Sequence, residues 1–157
     1  MCIVVDLNSL SSVFSIDSKN HSEFKPVHDW IIHGKGHAVY GGTKYKAELG
    51  KSYRYLKLFR QLKAAHRAVE IRQDMVDARE LELLHLIKGK GCDDQHIIAI
   101  FCVSGCVLLC SEDIRSFKFI KDKHNYTHGC RRPRIYQRAE HKSLLSDENI
   151  VRLRHAC

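Results

Sequence analysis

The chain has 157 residues, 44% of them apolar, which suits one domain built around one core. No run of about 18 apolar residues occurs, and the opening MCIVVDLNSL lacks a basic leader, which argues against a membrane span or secretion and for a cytoplasmic protein. Seven cysteines without a CxxC pair argue against a zinc knuckle or a thioredoxin-type motif, and a net charge of +8 suits a polyanionic partner, nucleic acid above all.

In chain order, CIVVD (Cys2 to Asp6) reads as a buried strand because it is a short, valine-rich apolar run. Helices follow through SLSSVFSI and through SEFKPVHDWIIHG, the second stopped by Gly34 and Gly36. HAVY is the second strand, ended by Gly41 and Gly42. From Thr43, apolar residues recur at three and four positions (Tyr45, Leu49, Tyr53, Leu56, Phe59), predicting one continuous helical stripe. Lys44, Lys51 and Arg54 fall opposite that stripe, and Glu48 falls on its border. AVEI is a third strand, and RQDMVDARELELLHLI is a helix running to KGKG. Asp94 opens the next helix, with Ile97, Ile98 and Phe101 on the buried side and Gly105 at its end; CVLLC is another buried strand. RIYQR is an edge strand and DENIVRLRH a last helix; Pro26 and Pro133 sit near element boundaries.

Strands alternating with helices imply an α/β domain, a three-layer α/β/α sandwich with a mainly parallel sheet of four or five strands. It is expected to occupy residues 1–157, with a basic C-terminal extension from about residue 124. In such sheets sites form outside the carboxyl ends of the strands. Asp6 ends the first strand, Ser111, Glu112 and Asp113 follow CVLLC, Asp94 starts a helix, and Glu48 lies in the helix after the second strand. One rim can therefore gather Asp6, Glu48, Asp94 and Asp113. Crowded carboxylates repel unless a cation joins them, and Mg²⁺ or Mn²⁺ suits oxygen ligands of this kind. Such an ion can activate water against a phosphodiester.

Plainer roles exist for each residue taken singly. Asp6 suits a strand-end turn, and Asp93 or Asp94 suits a helix cap worth about 1 kcal/mol. Asp93 is expected at the cap or in solvent, and Glu112 in solvent. Glu48 could pair with Lys44 or Lys51. His124, His128 and Cys130 in HNYTHGC give only a faint hint of a ligand cluster. Tyr40, Tyr126 and Tyr136 suit packing better than base stacking. Arg131, Arg132, Arg134 and Arg138 suit either phosphate contact or a solvated loop.

Three blocks carry a family resemblance. VVDLNSL resembles the opening of PIN-domain nucleases, with an aspartate at the end of strand one and an asparagine two positions on. HAVYGGTKYKAELG is similar to that family's strand and glutamate-bearing helix, and DDQHIIAIFCVSGCVLLCSED to its third block of aspartate, helix, glycine, strand and Ser-x-Asp. The likeness spans about Cys2 to Phe117 with the blocks in the family's order. It implies metal ligation by Asp6, Glu48, Asp94 and Asp113, with Asn8 and Ser111 in support. It also implies cleavage of RNA with Mg²⁺ or Mn²⁺, as an endoribonuclease of toxin or defence type, with an antitoxin or regulatory protein and a second copy of the chain as further partners. Lys44, Arg131, Arg132 and Arg134 are the cations expected to touch the RNA backbone. The charged segment from Arg72 to Lys90 and the long basic tail CRRPRIYQRAEHK depart from a small family member. Two rivals stand beside this reading. One is an inactive PIN-like module that binds RNA or protein. The other is a phosphoacceptor domain, which would want an isolated aspartate with a lysine near the rim.

Overall fold

The computed structural model describes residues 2–87, 91–126, 129–146 and 152–157. Its centre is a sheet of five parallel strands: β1 (Cys2–Val5), β2 (His37–Gly41), β3 (Ala68–Ile71), β4 (Leu108–Cys110) and β5 (Arg134–Tyr136), in the order β3-β2-β1-β4-β5. Helices α1 (Leu10–Phe14) and α2 (His21–Ile32) connect β1 to β2, and α3 (Thr43–Gly50) and α4 (Tyr53–Ala64) connect β2 to β3. Helices α5 (Gln73–Leu86) and α6 (Gln95–Ser104) return the chain to β4, and α7 (Phe117–Ile120) leads on to β5. Parallel strands cross over right-handedly. Connections running one way from β1 and the other way from β3 therefore cover opposite faces, giving the α/β/α sandwich. The direction of winding reverses between β1 and β4, the place where such sheets open a crevice at their carboxyl ends.

The core explains the sequence pattern. All four residues of β1 are buried, as a strand covered on both faces requires. Helix α6 is buried along its whole length, so its apolar run shows no amphipathic face. It stops at Gly105, whose φ of +76° suits glycine and whose amide bonds Phe101 O at 2.9 Å. Seven free cysteines are present, Cys2, Cys92, Cys102, Cys106 and Cys110 among them buried. Tyr40, Tyr126 and Tyr136 pack, and each hydroxyl donates inward, to Glu70, Ile120 O and Glu23 O. No described helix is long and apolar enough to cross a membrane.

Several expectations change. The long stripe from Tyr45 breaks at Lys51 and Ser52 into two helices, and Tyr53 is 76% exposed rather than part of it. Pro26 lies inside α2, not at its edge. The missing N–H leaves the carbonyl of Ser22, an exposed residue, open to water, which softens the usual cost. On α5 only Val76 and Leu83 are buried, while Leu81, Leu84 and Leu86 are exposed. The last expected helix falls mostly on residues 147–151, outside the described residues, and 152–157 are not helical.

Candidate active site

Backbone pairing at the switch point fixes the first acids. Asp6 N donates to Cys110 O at 2.9 Å, and Ser111 N to Tyr136 O at 3.1 Å, so the ends of β1, β4 and β5 stay level. This brings Ser111 Oγ within 2.7 Å of Asp6 Oδ2, to which it donates, while the same oxygen accepts from Asp113 N at 3.1 Å. One buried hydroxyl thus ties together two aspartates that are far apart in sequence. Asp6 also receives the amide of Asn8 at 3.5 Å. Burial pushes its carboxyl above the usual range; the Ser111 hydroxyl acts the other way and the Asp113 charge adds to the rise.

Asp94 occupies the N-cap position of α6, but its side chain makes no capping bond; its carbonyl instead receives Ile97 N. Freed from capping, the carboxylate faces a cavity of about 330 Å³. Asn8, Lys44, Glu48, Asp94 and Asp113 all line that cavity. Burial, then the charges of Asp6 and Asp113, push the Asp94 carboxyl up to about 6, with Lys44 pulling the other way. Glu48 is half-buried on α3. That helix begins at Gly42, which lacks a capping side chain, and Asp77 of α5 supplies the cap by accepting from Thr43 N at 2.7 Å and Thr43 Oγ1 at 2.6 Å. Lys44 was expected on the solvent side; its Nζ instead crosses the cavity mouth to Asp93 O at 2.5 Å. Asp93 is exposed, as expected.

Two residues of the site were not anticipated. Arg115 lines the cavity, and its Nε and Nη2 donate to Asp113 at 3.0 and 3.4 Å while its backbone N–H donates at 3.1 Å. This pairing holds the Asp113 carboxyl below its ordinary range. An aspartate followed two positions on by the residue whose amide it accepts is an Asx-turn, a signal present in Asp-Ile-Arg. His96 also lines the cavity while 97% buried, since its exposure is 3%, and its Nδ1 has no hydrogen-bond partner among the described residues. Burial, then Lys44, lowers its pKa to about 4, so it is neutral at pH 7. No periodicity marks a histidine inside a uniformly apolar helix.

Glu112 departs from expectation in the other direction. It accepts from Ser12 Oγ at 2.8 Å and Asn20 Nδ2 at 2.6 Å, and its amide donates to Ser9 Oγ at 2.9 Å. It fastens the end of β4 to the segment after β1 instead of pointing to solvent. Arg131, Arg132 and Arg134 do not line the carboxylate cavity; Arg134 pairs with Leu108 at the opposite end of β4 from Ser111. His124 is paired with Asp122 at 2.8 Å, and His128 lies outside the described residues.

No protein-family model, no curated protein and no solved structure matches this chain. The donors at the rim are carboxylate oxygens with an amide and a hydroxyl beside them, the chemistry a hard divalent cation takes. Among the described residues no three His, Cys, Asp or Glu side chains close into a group that could hold one ion. Asp6 is turned onto Ser111, and Asp113 onto Arg115. Glu48, Asp94 and Asp113 line one cavity while Asp6 lies near it but outside its lining, so the acids are not drawn to one point.

Proposed function

We propose that this chain is a divalent-metal-dependent endoribonuclease of PIN-like type. The observation that carries the reading is the convergence of Asp94, Glu48 and Asp113 on one cavity at the sheet's switch point, with Asp6 close enough to raise the Asp94 pKa. A folded domain has no structural reason to gather acids that destabilise one another there.

Asp6, Glu48, Asp94 and Asp113 would hold Mg²⁺ or Mn²⁺. When bound, such an ion supplies positive charge to a phosphodiester and acidifies a water. Ser111 holds Asp6 and Asp113 in fixed relation, which limits the rearrangement that binding demands. Lys44 and Arg115, on the cavity wall, face the phosphate oxygens; Arg115 has guanidinium donors left after its two bonds to Asp113. Since the Arg115 side chain is 91% exposed, its hold on Asp113 is weak and readily exchanged for a cation. A neutral His96 adds no charge to compete with that cation.

The rival reading, an inactive RNA- or protein-binding module, draws on the same Arg115–Asp113 pair, taken as a permanent replacement for the ion. Cleavage of a mixed single-stranded and folded RNA pool separates the two. Wild type, Asp6→Asn and Asp94→Asn are compared at pH 7.5 with Mg²⁺, Mn²⁺ or EDTA, alongside Mn²⁺ titration calorimetry. Metal-dependent cutting by wild type alone is expected. RNA binding without cutting, indifferent to both substitutions and to the metal, sinks the nuclease reading and favours the module.

A further inference from the structure

A second cavity, of about 410 Å³, is lined by Lys121, Arg131, Arg132, Pro133 and Arg134. Four of its five lining residues are cations and none is an acid. Asp122, the acid next to it in sequence, is turned onto His124, accepting from its backbone N–H at 3.0 Å. The cations sit on ordered backbone rather than on a solvated tail. Arg134 N donates to Val107 O at 2.8 Å as β5 joins the sheet, Pro133 is buried, and Arg132 Nη1 donates to Lys121 O at 3.1 Å. A concave group of like charges with no acid in its lining costs self-repulsion, and an anion removes that cost.

Its position relates it to the carboxylate cavity. Arg115 and Phe119 line the acidic cavity and Lys121 the basic one, so the short segment through α7 is the wall between them. Six helical residues from Arg115 to Lys121 span about 9 Å. From the Leu108 level, where Arg134 pairs, to Ser111 is three strand residues, about 10 Å. Both routes put about 10 Å between the two levels along the strand direction, which a short stretch of RNA backbone can span.

Resting on the ribonuclease reading, we propose that the basic cavity is a phosphate-binding exosite for the RNA backbone to one side of the cut. The enzyme then prefers strands long enough to occupy both cavities, and the exosite supplies affinity without sequence preference.

The test is fluorescence anisotropy with labelled oligouridines of 4 and 12 nucleotides in EDTA, from 50 to 200 mM salt, for wild type and Arg131→Gln/Arg132→Gln/Arg134→Gln. Each lost phosphate contact flattens log K against log salt by about 0.7 for a single strand, so three flatten it by about 2. The 12-mer's affinity should then fall less across that salt range, by roughly 20-fold, and its advantage over the 4-mer should shrink. Lys57→Gln, an exposed charge on α4 outside this cavity, serves as the control that leaves the slope unmoved. A normal thermal melt of the triple variant shows that folding is intact. An unchanged slope, with wild-type binding and metal-dependent cutting present, overturns the exosite and leaves the nuclease reading in place. Wild type that neither binds nor cuts RNA overturns both.

Discussion

Replacing Asp94 by Asn should make the metal-free protein more stable at neutral pH. The ordinary carboxyl pKa of 3.8 rises to about 6 here because the group is buried near Asp6 and Asp113. Between those values the folded state holds a proton that the unfolded chain has lost, so stability falls as pH rises through that window and levels off above it. A rise from 3.8 to about 6 corresponds to about 3 kcal/mol. Asparagine removes this cost but also the charge at the head of α6, worth about 0.3–1 kcal/mol. Solvent reaching the half-buried carboxylate trims the gain further. A net stabilisation of about 1–2 kcal/mol remains, or roughly 2–8 °C in Tm for a chain of this size. The assay is thermal and urea unfolding in EDTA at pH 7.5 and pH 4. The gain should be present at pH 7.5 and nearly absent at pH 4, where the wild-type group is already protonated when folded. Mn²⁺ should then favour wild type over the variant. An Asn variant no more stable than wild type at pH 7.5, or equally advantaged at both pH values, refutes the claim that these acids crowd one another.

Two further substitutions separate the site's frame from its charges. Ser111→Ala removes the donor to Asp6 and the acceptor for Asp113 N in a buried position, and should cost about 1–3 kcal/mol in urea unfolding; a neutral result means that the two aspartates are placed by backbone alone. Glu112→Ala should cost about 1–2 kcal/mol through the lost bonds to Ser12 and Asn20 while leaving Mn²⁺ affinity unchanged, and a loss of Mn²⁺ binding would place Glu112 in the metal set.

The fold was legible where burial is symmetrical. CIVV and CVLLC are runs that make sense only between two helical layers, and Gly105 marks a helix end that needs positive φ. Three of the rim residues were legible because strand ends and helix starts are local properties, and Asp6, Asp94 and Asp113 each sit at or near one, whereas Glu48 lies towards the end of α3. What the pattern hid depends on partners distant in sequence. Tyr53 continues the spacing of Tyr45 and Leu49, yet the break after Gly50 turns it outward, and periodicity cannot register a break of two residues. Glu112 alternates away from Asp113 as a strand residue should, but the partners it meets, Ser12 and Asn20, lie about a hundred residues earlier. Lys44 was placed by helical angle alone, and a lysine's long stem let its charge turn back across the rim. Arg131, Arg132 and Arg134 read as one basic tail; only the register of Arg134 against Leu108 separates them from the carboxylates.

The central position of β4 bears on how the chain assembles its acidic rim during synthesis. Strands β1, β2 and β3 are contiguous in the sheet and are all present once Ile71 has been made. At that stage β1 is an edge, with the backbone groups of Val4 and Val5 that later pair with Leu109 and Cys110 still open. An apolar edge of this kind is an aggregation hazard, and closing it waits on a loop across most of the chain. The insertion of β4 removes the hazard and, in the same step, sets Ser111 beside Asp6 across 105 residues. A growing or truncated chain therefore cannot bring its acids together before its sheet is sealed, so a nascent or damaged copy is prone to self-association yet lacks a finished carboxylate rim.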